Sequence, residues 1–241
     1  MKLRLLYLYA LGVGGFTGVL PGQTNSAVSD VHRLLDLAAI ASPAENYSIV
    51  RKLTHFPIQE FDKSARVKVA GLLHPGQNHL EEWVLLAGFL NLKSSLRRLL
   101  EEKDIPGTLR QAIGFALVRC GDEGALQKLK NNIYTIPVDD DFVYQLVPLL
   151  VYTRRKEMTD YLLELVQKDD TGCTPADAET PGAINCAFRI MEYLAPVIRD
   201  FPLETSISGD LETDDYPNAL QLVRSWIIES GGVYFLDDTT Y

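Results

Sequence analysis

The sequence predicts an all-α protein: an α/α superhelical solenoid of antiparallel helix pairs, preceded by a signal-like segment. Three observations lead there. From Asp30 onward apolar residues recur at helical spacing, and no run alternates as a half-buried strand would. The helical segments are separated by short breaks rich in Gly, Pro and Asp. Units of two helices also recur at a near-constant period, with Leu86, Leu117 and Leu150 lying 31 and 33 residues apart. Units of that size each need a neighbour to cover their apolar face, which is the logic of a solenoid.

Composition agrees with a packed globular chain. Of 241 residues, 46% are hydrophobic and 23% charged, with 17 Gly, 12 Pro and 3 Cys, which excludes disordered, collagen-like and disulfide-dense classes. A chain of this length buries roughly 70% of its unfolded surface, so its core needs no staples. Acidic residues outnumber basic ones 32 to 23, for a formal charge of −9. Binding a duplex requires Lys and Arg to neutralise phosphates, so nucleic acid is not the expected partner. An anionic membrane surface is disfavoured on the same ground.

Residues 1–27 read as a probable signal peptide. Lys2 and Arg4 form a short positive region, Leu5 to Leu20 carries no charge, and Pro21, Gly22, Ser26 and Ala27 follow. Cleavage is expected after Gly22 or Ala27, leaving no stable membrane span and a periplasmic or secreted protein; a cytoplasmic address is the alternative. Gly12, Gly14, Gly15 and Gly18 interrupt the apolar run, against a permanent span. The same glycines resemble a dinucleotide-binding loop, but that chemistry needs a helix directly behind them. Here Pro21-Gly22 intervenes and residues 23–26 read as loop.

Helical repeats are expected over 28–170. Val31, Leu34, Leu35, Ala38 and Ala39 mark a first helix, and Ile49, Val50 and Leu53 a second around 45–55. Val67, Val69, Ala70, Leu72 and Leu73 lie in a third, over 62–73. The nearly continuous apolar run from Leu80 to Leu90 predicts a helix buried between neighbours. A helix over 108–120, with Leu109, Ile113, Ala116 and Leu117 on one face, breaks at Gly121-Asp122 and pairs with one carrying Leu126, Leu129 and Ile133. The next pair runs over 141–152 and returns through Met158, Leu162 and Val166.

The stretch LRQAIGFALVRCGDEGALQKL, residues 109–129, resembles a HEAT or HEAT-like repeat, with Arg110 in the first helix and Gly121-Asp122 at the turn. Pro148 lies inside a first helix, where repeats of that class carry a kinking proline. The resemblance is strongest over 80–168, and it implies a superhelix with a concave binding face. It does not by itself imply an activity.

Beyond 170 the pattern loosens. Residues 171–182 read as a long loop, followed by a helix over 183–199, a second acidic loop over 203–217 and a last helix over 218–229. Together, residues 171–241 are expected to cap the same domain with irregular acidic helices. From Phe201 to Tyr241 there are eight acidic residues and one basic, Arg224.

No catalytic, cofactor-binding or metal set stands out. His74 and His79 flank a Pro-Gly turn without the further ligands zinc requires, and no His adjoins a nucleophile motif. Cys173 and Cys186 are candidates for a disulfide, worth about 3 kcal/mol in the chain-entropy view, with Cys120 left as a buried thiol. Asp210–Asp215 fails the EF-hand pattern, so Asp214 and Asp215, like Asp139–Asp141, read as charges at a helix start. The function expected is a non-enzymatic protein-interaction scaffold whose acidic C-terminal section favours a basic partner. The alternative is a lyase or hydrolase built on a helical repeat.

Overall fold

The structure is a computed structural model and describes residues 21–169, 172–175, 182–206 and 210–241. The charges of Lys2 and Arg4, the uncharged run to Leu20 and the glycines of the dinucleotide alternative lie outside the described residues. The described chain is all-α, with antiparallel contacts limited to the isolated bridges Cys173–Ile184, Ile198–Leu236 and Thr205–Leu211. Among the described residues no helix is long and apolar enough to cross a membrane.

The first helices are α1 (Pro21–Ala38), α2 (Pro43–Leu53) and α3 (Lys63–Gly71). Residues 23–26, read above as loop, are helical. Pro21 opens α1, where a residue without an N–H costs no hydrogen bond. Ser42 and Glu45 form a capping box at α2, and Asp62 caps α3 by accepting from the Ala65 N–H at 2.7 Å. Within α3, Val69 is buried whereas Val67 is 65% exposed. Asn46 is buried and satisfied at both ends of its amide: it donates to the Ala38 carbonyl at 3.0 Å and accepts from the Trp83 indole at 2.8 Å. That pair of bonds holds α1, α2 and α4 in register.

Three pairs follow: α4 (Leu80–Phe89) with α5 (Lys93–Leu100), α6 (Gly107–Arg119) with α7 (Glu123–Ile133), and α8 (Val147–Tyr152) with α9 (Lys156–Val166). Helix α5 is absent from the sequence reading because its apolar signal is short; Leu96 and Leu99 are buried between charged neighbours. In each pair the residue two past the first helix is left-handed: Asn91 at φ 57°, Gly121 at φ 70° and Arg154 at φ 52°. At the first two, the next N–H reaches back five residues, Leu92 to Ala87 and Asp122 to Leu117, closing the helix end as a Schellman motif does. The third first-helix begins irregularly. Pro148 has no N–H for the carbonyl four residues back, and the preceding turn, Phe142–Leu146, widens to π geometry.

The last helices are α10 (Ala187–Leu194) and α11 (Tyr216–Ser230). Helix α10 is shorter than the 183–199 pattern because Ile184 bridges Cys173 and Cys186 joins Cys173 in a disulfide, with Cα atoms 5.1 Å apart. After the left-handed Gly231 and Gly232, residues 233–241 run extended across the ends of α9, α8 and α6.

Two apolar clusters make up the core, one drawn from α1–α6 and the other from α6 to α11. They meet at α6, which is apolar nearly all round: Ile113 and Ala116 face the first cluster, Phe115 and Val118 the second. Helices α4 and α6 form the closest pairing in the chain, and Gly88 is what permits it. A Cβ at Gly88 would lie 2.8 Å from the Ala116 Cα and would overlap the Tyr152 hydroxyl, which donates to the Leu85 carbonyl. Gly88→Ala is therefore expected to destabilise the chain by about 1–3 kcal/mol through overpacking, read as a lower urea midpoint at unchanged slope.

Candidate functional site

Among the described residues two groups of side chains invite a chemical reading, and only one of them lines an opening. His32, Asp62 and Ser64 come together from α1 and the start of α3, with the ring Nε2 3.1 Å from Asp62 Oδ2 and 3.3 Å from Ser64 Oγ. A relay needs the base to meet the hydroxyl through one nitrogen and the carboxylate through the other. Here both contacts fall on the same nitrogen, and Asp62 is occupied as the α3 cap. That backbone bond from Ala65, with His32 second, holds its carboxyl at about 2. The arrangement is a helix start.

The second is an open trough of about 720 Å³ between α5 and α7, with α6 as its floor. Leu100, Leu117, Leu129 and Ile136 give it an apolar bed, and Ile136 is 39% exposed. Arg97 on α5, Arg110 on α6 and Lys128 on α7 stand around it against a single carboxylate, Asp122. Asp122 draws the α5 and α7 walls together at one end. It accepts from the Ala125 N–H at 3.0 Å as the α7 cap, from Arg97 at 2.6 Å, and pairs with Lys93 at 3.4 Å. The backbone bond first, then Arg97 and Lys93, hold its carboxyl at about 2 against burial. Arg110 and Lys128 are exposed and have no ion-pair partner among the described residues.

Of Gly121 and Asp122, singled out as a turn, Asp122 thus lines the trough, and Arg110 lies on its floor. The trough itself was not legible in sequence, since its cations come from three helices and one of those helices went unread. One signal was present: α6 carries Gly114 mid-helix; in the structure, apart from the backbone of α6 itself and its chain neighbours, no described atom comes within 4 Å of where its Cβ would be.

The other candidates resolve locally. Asp139 accepts from the Phe142 N–H at 3.0 Å and Asp215 from the Asn218 N–H at 2.9 Å, both at helix starts, while Asp140 holds Thr174 beside the disulfide. His74 and His79 are exposed. Cys120 lies at the end of α6, with its thiol pushed up to about 11 by burial. Among the described residues no three His, Cys, Asp or Glu side chains gather as a metal site.

Set against family models, curated proteins and solved structures, the chain matches none.

Glycine inside a helix costs about 0.5–1 kcal/mol relative to alanine, and at Gly114 no packing within the chain uses the space. Gly114→Ala is expected to raise stability by about that amount, the opposite sign to Gly88→Ala, in the same urea titration.

Proposed function

We propose that this chain is a non-enzymatic protein-interaction scaffold of HEAT-like helical pairs, exported from the cell and receiving its partner on the α5–α7 face. The single observation that carries this reading is the trough, an apolar surface left open between two helices of the stack and edged by cations of which Arg110 and Lys128 have no ion-pair partner among the described residues. The solenoid part is supported by the left-handed turn that recurs at Asn91, Gly121 and Arg154 and by α4, α6 and α8 lying side by side. Extended faces of this kind commonly hold other polypeptides.

The acid excess of the C-terminal section is the weaker guide to the partner. Asp215 caps α11, and Asp237 is tied to Thr239, so part of that charge is already engaged. Export is supported by the order of charge, apolar run and small residues in the first 27 positions, and by a disulfide of the kind that persists in oxidising compartments.

The reading is tested by placing a photo-crosslinking residue at Gln111, in the trough, or at Ser225, exposed on α11, in the native cell. A discrete polypeptide adduct from Gln111 is expected. An adduct from Ser225 alone would keep the scaffold and move its surface. No adduct from either position, with turnover of a small substrate by the purified chain, would overturn the reading. For the address, the intact mass of the native protein is expected to lack 22 or 27 residues, with two thiols protected until reduction. A full-length mass with three free thiols would return the protein to the cytoplasm.

A further inference from the structure

The trough also specifies what fits it. Its volume of about 720 Å³ is in the range of ligand sites, but it lies open along one side, so an occupant buries one face and keeps the other in water. That suits an amphipathic helix, which needs only its apolar stripe covered. It does not suit an acyl chain, which needs an enclosed cavity to bury most of its surface.

Charge chooses among helices. The trough is edged by three cations and one carboxylate in a chain whose formal charge is −9. Each cation comes from a different helix, α5, α6 or α7. Standing on both walls and on the floor, they surround the opening and favour an occupant that carries more than one carboxylate. Arg97 already shares Asp122, which leaves Arg110 and Lys128 to make new pairs.

The floor allows close approach. Gly107 and Gly114 are seven residues apart on α6, two helical turns or about 10.5 Å, and at both the Cβ position is empty.

We propose that the trough docks an acidic amphipathic helix of a partner protein, apolar side chains on Leu100, Leu117, Leu129 and Ile136 and carboxylates against Arg97, Arg110 and Lys128. The assignment rests on the interaction-scaffold reading and names the chemistry of its partner.

The test selects peptides from a random 16-residue phage library on the full disulfide-bonded chain, then measures affinities by fluorescence anisotropy. Recovered peptides are expected to combine Asp or Glu with apolar residues at i, i+3 or i+4, and i+7, and to gain helical circular dichroism on binding. Their affinity is expected to fall at least tenfold in the Arg110→Glu/Lys128→Glu variant and in Gly114→Leu, and to weaken with salt. The two cations are exposed and without ion-pair partners among the described residues and the glycine faces open space, so these variants leave the core intact; near-ultraviolet circular dichroism checks this. Recovery of peptides without acidic residues, binding unchanged in both variants, or no binders at all would overturn the proposal, as would laurate binding in the absence of any peptide. Peptides that bind yet ignore both variants would sink the trough while leaving the scaffold reading intact. Loss of that reading is decided separately, by crosslinking in the cell.

Discussion

Among the described residues Arg119 is the one cation that ties α4, α6, α8 and the C-terminal strap to a common point. It is largely buried, where a guanidinium normally needs a carboxylate; here it has ring faces and carbonyls. Its Cζ lies 5.0 Å from the Phe89 ring centroid and 4.7 Å from that of Tyr152, and it donates to the Tyr152 carbonyl at 2.6 Å and to the Thr240 carbonyl at 2.7 Å. Four segments, α4, α6, α8 and the 233–241 strap, therefore share one cation. Burial pulls its guanidinium below its ordinary range, yet the group stays charged, because carbonyl dipoles and aromatic faces replace the water it gave up. Tyr241 completes the cluster, packing against both Phe89 and Tyr152, and it touches both apolar clusters.

The same solution recurs at other helix ends. Arg66 donates to the Leu90 carbonyl past α4, Arg154 to Val151 in α8 as well as to Asp237 and Tyr241 in the strap, and Arg224 to Val166 and Lys168 past α9. The last carbonyls of a helix have no partner within it and carry its negative pole. Where the arginine comes from another element, as Arg66 and Arg224 do, it also ties that element down. The three turns share one backbone shape without sharing a residue at the left-handed position, Asn91, Gly121 or Arg154, and a cation from another helix meets a carbonyl at each: Arg66 at Leu90, Lys93 at Gly121 and Arg119 at Tyr152.

Close packing at one glycine and open space at another follow from the same arrangement. Gly88 lets α4 and α6 approach until Tyr152 can reach Leu85, and that contact brings α8 against the pair. On its other side α6 carries α5 and α7, held together at the Asp122 end by Arg97 and Lys93 and apart at the end where Gly107 and Ile136 lie. The trough is the space this leaves. Its mid-helix Gly114 leaves the floor open at a cost in local helix stability.

Periodicity along the chain determined the helical class, most helix positions and the breaks at Gly121-Asp122 and Pro75-Gly76, because a helix is decided by neighbours three and four residues away. Asp139 and Asp215 were legible as charges at helix starts for the same reason: a capping side chain acts on an amide two or three positions on, whereas the caps at Asp62 and Asp122 went unread. Helix α5 escaped because two turns present too few apolar positions to register, and α10 was overdrawn because a disulfide and a bridge, not local pattern, set where it starts. The strap, the Arg119 cluster and the trough depend on hydrogen bonds between residues 25 to 121 positions apart. No local spacing encodes such meetings; they arise only when the apolar faces of α4, α6 and α8 close and bring Arg97, Arg110 and Lys128 around one opening.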